Sequence, residues 1–397
     1  MTYGSASVYL DHAATTPVDP AVVDVMLPWF TARFGNPSSI YHIGQDGRSA
    51  LDQSRTTLAR ALHARPGEIV FTSGATESNN LALKGVAWAA RQRHPDRTPP
   101  HLITSTIEHH AVLHAAEALE RQGFAVTYLP TDSFGLISPD ALRAAIRPET
   151  CLISVILANN EVGTIQDLSA LSAVAHEHDV AFHTDAVQAA GAIPLDVDAL
   201  GVDLLSLSAH KFYGPKGVGL LYVRKGTPIT FQQDGGGQES GRRGGTENVP
   251  LIVGMAEAMR RADESRDAYN AHCRNLRDQL WRAISSRIPD CRLNGPPLDH
   301  RRLANNLNVS FGGVQGETVL LGLDMAGVAA SAGSACTTGN SEPSHVLRAI
   351  GLSDPAARSS IRLSVGRGNA EREVDDAMDA LEEVIERTRN LAPSLPA

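Results

Sequence analysis

Cysteine is scarce in this chain, with four in 397 residues, at positions 151, 273, 291 and 336. No two of them stand in C-x-x-C spacing, so neither a zinc site nor a dithiol redox motif is expected, and no other metal site is read. Long apolar runs are missing too. None approaches the ~18 residues of a membrane-crossing helix. The opening Met1-Thr2-Tyr3-Gly4-Ser5 lacks the basic start and apolar core of a signal peptide, so a cytoplasmic location is expected. Positive charge is in deficit, 35 Lys and Arg against 44 Asp and Glu, for a net charge of −9. Nucleic acid and anionic membrane require the opposite balance, so neither is expected as a main partner. The sequence has no internal repeat and no low-complexity tract.

What is present is ordinary for a soluble globular enzyme, 42% hydrophobic and 20% charged. At roughly 150 residues per domain the length suggests two domains. Short β-branched or aromatic runs alternate with helical ones. The stretch 68–73 reads as a strand, Gly74 breaks it, and a helix starts at Ala75-Thr76-Glu77-Ser78. Strands follow at 101–106, 124–129, 151–158 and 180–185, with helices after 110, near 139–146 and near 168–178. The stretch 202–223 gives a strand, then Ser208-Ala209-His210-Lys211, a Gly/Pro loop, and a second strand. A Gly/Arg-rich loop spans 234–248, and one long charged helix is read near 251–288. Strands 307–311 and 359–365 lie beyond it. Such alternation predicts an α/β fold with a largely parallel sheet, and ligands of such sheets bind at the carboxyl ends of the strands. Gly74, His109, Asn160, Asp185 and Lys211 all fall just past predicted strand ends.

A lysine at the mouth of a buried strand is out of place, because desolvation disfavours its ammonium form. A deprotonated lysine is an amine nucleophile, most often used to hold pyridoxal phosphate. That cofactor needs a carboxylate for its ring nitrogen, a flat cover for the ring and a cup for its phosphate. Its amino-acid substrates need an arginine for the carboxylate. Lys211, Asp185, His109, the cup Ala75, Thr76 and Ser208, and Arg362 supply that set. Each has a plainer alternative: a surface lysine past a strand, an N-capped helix start at 73–76, a structural ion pair for Arg362. Asn36, in Phe34-Gly35-Asn36-Pro37, is a ligand contact or a turn residue. Cys151 reads as inert strand core, and Cys273 and Cys291 as structural.

The chain resembles the cysteine desulfurases of the class V aminotransferase family, of pyridoxal phosphate fold type I. The likeness rests on Asp11-His12-Ala13-Ala14-Thr15-Thr16-Pro17, Phe34-Gly35-Asn36-Pro37-Ser38-Ser39, Thr72-Ser73-Gly74-Ala75-Thr76-Glu77-Ser78, Glu108-His109, Asn159-Asn160-Glu161-Val162-Gly163, Asp185-Ala186-Val187-Gln188, Ser208-Ala209-His210-Lys211, Arg243-Gly244-Gly245-Thr246-Glu247-Asn248, Gly333-Ser334-Ala335-Cys336 and Ile361-Arg362-Leu363-Ser364. It implies a large cofactor domain, 16–260, with a mostly parallel seven-stranded sheet flanked by helices. It implies a smaller α+β domain, 1–15 with 261–397, carrying a cysteine loop at 333–345. Lys211 is implied as the Schiff-base lysine, His109 as the ring-stacking proton carrier, Asp185 as the partner of the ring nitrogen and Gln188 of the phenolic oxygen. Ala75, Thr76, Ser208 and His210 are implied to hold the phosphate, joined by Thr246 from the other subunit of a homodimer. Asn160, Arg362 and Asn36 are implied to position L-cysteine.

Cys336 stands in a Gly, Ser, Thr and Asn stretch. The resemblance makes it the thiol that takes sulfur as a persulfide and passes it to an acceptor protein. Iron–sulfur cluster assembly, tRNA thiolation and DNA sulfur modification are all open as destinations. The end at Ala397 lacks a longer tail with which some relatives dock a scaffold, and Ser240 stands where many carry a basic residue. A selenocysteine lyase, an aminotransferase and a non-catalytic sulfur-relay subunit are the rival readings.

Overall fold

The computed structural model describes residues 8–93, 98–332 and 342–391. Among them the strands are β1 (Val8–Tyr9), β2 (Ile69–Thr72), β3 (His101–Ser105), β4 (Ala125–Leu129), β5 (Thr150–Ser154), β6 (Ala181–Asp185), β7 (Leu204–Ser208), β8 (Gly219–Val223), β9 (Cys291–Leu293), β10 (Asn306–Phe311), β11 (Val328–Ala329) and β12 (Ser360–Ser364). Seven form one sheet in the order β2-β8-β7-β6-β5-β3-β4. β4, β3, β5, β6 and β7 pair in parallel, and β8 runs against both of its neighbours. β2 therefore points the same way as the parallel five. The mostly parallel seven-stranded α/β sheet expected from the sequence is present.

The period-two pattern of these strands builds two apolar layers. Ile103, Ile153, Phe182, Leu205 and Leu220 join one core, and the chain neighbours Leu102, Leu152, Leu204 and Leu221 face the other. Helix starts are marked by the chemistry expected for them. Ser138 caps Pro139–Ala145, and Asp167 caps Leu168–His176, each accepting a hydrogen bond from a first-turn amide. Helices Ala75–Arg93 and His110–Arg121 lie against the second layer.

A separate antiparallel sheet, β12-β10-β9, carries its own core. Leu307, Val309, Phe311, Ile361 and Leu363 pack there with Leu276, Leu280 and Ile284 of one helix and Met378, Leu381 and Ile385 of another. Val8 and Leu10, from the start of the chain, belong to this cluster as well, and β1 pairs in parallel with β11.

The long helix read near 251–288 is two helices, Val249–Glu264 and Arg266–Arg287. The break lies at Ser265, whose hydroxyl donates back to Arg261 O at 2.7 Å, a local bond that competes with the helical ladder. The strand read at 151–158 ends at Ser154 as a sheet member, although Val155 and Leu157 still donate to His183 O and Asp185 O.

Candidate active site

Because β2, β3, β5, β6 and β7 point one way, their carboxyl ends share one rim, and a cavity of about 550 Å³ opens there. Asp185 ends β6. It is buried, with Oδ2 accepting from Asn79 Nδ2 at 2.6 Å and Oδ1 from Val187 N at 3.0 Å. Lys211 closes a short 3-10 turn after β7. Its Nζ donates to Ala13 O and Ala14 O, both at 2.7 Å. Gln188 Nε2 donates to the same Ala13 O at 2.8 Å. His109 caps the helix His110–Arg121, and its Nδ1 accepts from Ala111 N at 3.1 Å, so the other ring nitrogen carries the proton of a neutral ring. Burial pushes this imidazole below its usual range, against the opposing pull of Asp185.

One end of the cavity is a cradle. The turn Ser73-Gly74 leads into Ala75–Arg93, whose first-turn amides have no partner within the helix. Ser208 stands across from it, since a Cβ added to Gly74 would lie 3.8 Å from Ser208 Oγ, in ordinary contact with it. His210 Nδ1 lies 3.1 Å from Thr15 Oγ1, and burial, then Lys211, lowers its pKa to about 4.

The other end belongs to β12. Arg362 is buried, its Nη2 2.6 Å from Asp11 Oδ1 and its Nη1 3.0 Å from Asn160 O. Asp11 is stapled beside it, because His12 N bonds Ser364 O and Ala13 N bonds Ser364 Oγ.

The cavity therefore gathers Ala75, Thr76, His109, Asn160, Asp185, Gln188, Ser208, His210, Lys211 and Arg362. It does not include Asn36 or Thr246. Asn36 is exposed, and its Oδ1 accepts from Ser38 N at 2.9 Å, the turn alternative for that residue. Thr246 lies on its loop away from this chain's own cavity. Cys336 lies outside the described residues. The other three thiols are free. Burial holds those of Cys151 and Cys273 up at about 12 and raises that of Cys291, which suits inert structural roles.

Sequence reasoning missed four side chains at this site. Asn79 sits one turn into its helix, and its Oδ1 is buried without a partner among the described residues. Asp11 backs Arg362. His345 Nε2 lies 2.9 Å from Glu108 O, and Glu161 accepts from Ser344 Oγ at 2.5 Å. Asp11 and Glu161 lie inside the motifs that carry the resemblance, which was the available signal. Asn79 directly follows the 72–78 motif.

These residues fit pyridoxal phosphate. The volume lies in the ~300–1,000 Å³ range of small-molecule sites. The first-turn amides after Gly74, the buried carboxylate and the amine line one cavity, and the buried Asn79 Oδ1 offers a further acceptor beside them. The class-V aminotransferase family model matches residues 8–376. The chain belongs to that family.

Two relatives named "Cysteine desulfurase IscS" are each 50% identical. The one from Dictyoglomus turgidum aligns over 97% of this chain and 96% of its own length. The one from Methanosarcina thermophila aligns over 98% and 95%. Among solved structures, a "NifS-like protein" superposes with a TM-score of 0.89 at 38% identity, covering 96% of this chain and all of its own. "SspA in complex with cysteine" gives 0.79 at 40%, covering 91% and 99%. DndA from Streptomyces lividans gives 0.75 at 36%, covering 92% and 100%.

Proposed function

We propose that this chain is a homodimeric, pyridoxal phosphate-dependent L-cysteine desulfurase of the cytoplasm. It converts L-cysteine to L-alanine and hands the sulfur, held on Cys336 as a persulfide, to an acceptor protein. The observation that carries the reading is the meeting of Lys211, Asp185 and Arg362 in one cavity that ends in an anion cradle. The relatives named for this activity support it, as does the neighbour whose title places cysteine in it. Their shared name, IscS, favours iron–sulfur cluster assembly as the destination.

Bound here, pyridoxal phosphate supplies an electron sink for charge developing at the substrate Cα. Ala75, Thr76, Ser208 and His210 would hold its phosphate, with Thr246 serving the neighbouring subunit. Asp185, fixed by Asn79, would keep a proton on the ring nitrogen, and Gln188 would bond the phenolic oxygen. His109 would cover the ring and carry a proton. Lys211 would hold the cofactor covalently and, once released by the incoming amine, move the Cα proton. Arg362 would clamp the substrate carboxylate, with Asp11 and Asn160 O holding its guanidinium in place and Asn160 lining the same end. Asn36 is kept as a substrate-positioning residue only if the neighbouring subunit brings it to a cavity.

Cys336 thiolate then attacks the substrate sulfur. Its S–S bond forms as the substrate C–S bond breaks, and the carbon fragment takes protons to become alanine. Cysteine plus thiol gives alanine plus persulfide, so no outside oxidant or reductant is needed. The dimer is supported by an exposed apolar run, Leu27, Phe30, Phe34 and Ile40, the last 93% exposed, which is unusual for a lone soluble chain. The division into 16–260 and 1–15 with 261–397 is likewise proposed, and the packing of Val8 and Leu10 against the C-terminal helices supports it.

The deciding test is mass spectrometry after reaction with L-cysteine without reductant. One added sulfur on the Cys336 peptide is expected. Sulfide and alanine released at the wild-type rate by Cys336→Ser would instead indicate a lyase that expels sulfide directly.

A further inference from the structure

The Ser73-Gly74 turn is closed by a carboxylate. Glu77 Oε2 accepts from Ser73 N at 2.7 Å, and Glu77 also lines the cavity. An acid in the first turn suits the helix dipole. Here, however, it also sets a negative charge beside a cradle that must receive an anion. Burial pushes the Glu77 carboxyl up, but hydrogen bonds from Arg243 and Ser73 outweigh it and leave its pKa lowered, so the charge persists at neutral pH.

Arg243 answers that charge from 166 residues away. Its Nε lies 3.0 Å from Oε1 of Glu77 and its Nη2 lies 3.3 Å from Oε2, a two-pronged grip on the carboxylate. The loop that brings it is firmly built. The buried Glu239 carboxylate accepts from Phe71 N at 3.0 Å and from Arg55 Nη1 and Nη2 at 2.9 and 2.6 Å. Arg242 donates to Gly67 O at 2.8 Å and Ile69 O at 3.0 Å. Glu239 and Ser240 hold φ of 47° and 59°, a left-handed backbone that residues with side chains adopt seldom and keep only when their surroundings impose it. The loop is thus pinned to β2, the strand that runs into the cradle.

We propose that Arg243 is a positioning residue for the phosphate cradle. It cancels the charge of Glu77, so that the Ser73-Gly74 turn keeps its carboxylate brace while the cradle still accepts a dianion. This rests on the reading of the cradle as the phosphate site of pyridoxal phosphate.

The test uses full-length protein and two readouts apart from turnover. One is the rate at which the purified holoenzyme loses cofactor on dialysis. The other is the Kd for pyridoxal phosphate by tryptophan fluorescence, with inorganic phosphate as competitor. Arg243→Ala should raise both Kd values about tenfold or more, through an uncompensated charge near a dianion, and the loss should shrink at high salt. Glu77→Gln keeps an acceptor for Ser73 N without the charge and should bind at least as tightly as the wild type. Combined with Arg243→Ala it should restore binding to within about twofold of Glu77→Gln alone, and Arg243→Lys should retain part of it. Unchanged binding in Arg243→Ala, with Ser208→Ala weakened, would overturn the role of Arg243 alone. A double variant as weak as Arg243→Ala would do the same. If Ser208→Ala and Thr76→Ala both bind like the wild type, the cradle reading itself fails.

Discussion

Glu108 gives a direct way to test whether the interior beside the cavity is as dry as its packing implies. Its side chain is fully buried. Oε1 accepts from Ser105 Oγ at 2.5 Å and from Ile156 N at 2.9 Å, while Oε2 has no partner among the described residues. Burial pushes its pKa up from 4.5 to about 8, and nearby Asp185 pushes the same way. In the unfolded chain the carboxyl ionises near 4.5, so between pH 4.5 and 8 the folded state holds a proton that the unfolded state has lost. Stability therefore falls as pH rises through that window, by ~1.4 kcal/mol per pH unit, and levels off above about pH 8. From about pH 6 to pH 8 the loss from this one group is roughly 2 kcal/mol, the slope easing as the folded carboxyl begins to ionise. Glu108→Gln keeps an acceptor for Ser105 Oγ and Ile156 N and cannot ionise. Urea midpoints and slopes measured for both proteins from about pH 5 to 9 isolate the contribution, because every other titrating group is common to the pair. The variant should lose less stability than the wild type over that range, with the two curves becoming parallel near its upper end. Curves that stay parallel throughout would show that Glu108 ionises as if solvated, and the account of its burial would be wrong.

Lys211→Ala should abolish the visible absorbance of the bound cofactor and all turnover. Borohydride reduction of the wild type should leave a pyridoxyl group on Lys211, and a label on Lys216 or Lys225 would contradict the assignment. Cys336→Ser should keep the cofactor spectrum and its response to cysteine but yield no persulfide, since a hydroxyl is a far poorer nucleophile than a thiolate. Cys151→Ser should retain desulfuration and cost about 1–3 kcal/mol of stability, read by urea denaturation, if its hydroxyl finds no partner in the strand. Mixing Lys211→Ala with Thr246→Ala chains should give hybrid dimers with one site carrying both defects and one carrying neither, measurable as recovered activity over either parent. A fully active monomer in sedimentation would rule out the shared site.

The place of the site was legible in the sequence, because strand ends are. Runs such as Leu204–Ser208 and Ala181–Asp185 announce their own limits, and parallel pairing then brings Asp185 and Lys211 to one rim. Partners that meet across the fold were not legible. Asn79 and Asp185 stand 106 residues apart, and Arg362 and Asp11 stand 351 apart. No periodicity relates such pairs, and only the packing of a helix on a sheet, or of β12 beside the N-terminal segment, selects them. The break at Ser265 escaped for a different reason. Both flanking segments are good helix formers, and one serine hydroxyl bonded four residues back leaves no mark on the hydrophobic pattern. Asn36 and Thr246 are polar residues in exposed loops, and neither lines this chain's cavity.

The Lys211 amine and the Arg362 guanidinium are joined through the segment 11–15. Ala13 stands at its centre. Its N–H goes to Ser364 Oγ at 2.9 Å, two residues along β12 from Arg362, and its carbonyl accepts from Gln188 and Lys211. Tyr9 Oη meets Asp11 O and Thr15 O, both at 3.0 Å, so the segment is braced along its length. Asp11 in turn grips Arg362. A displacement of β12 therefore carries Ala13 with it and is felt at Lys211 through one residue. Two sheets with separate cores thus share one strut, and Lys211 and Arg362 are both tied to it, the first by hydrogen bonds from its side chain to the strut's backbone and the second by its ion pair with Asp11.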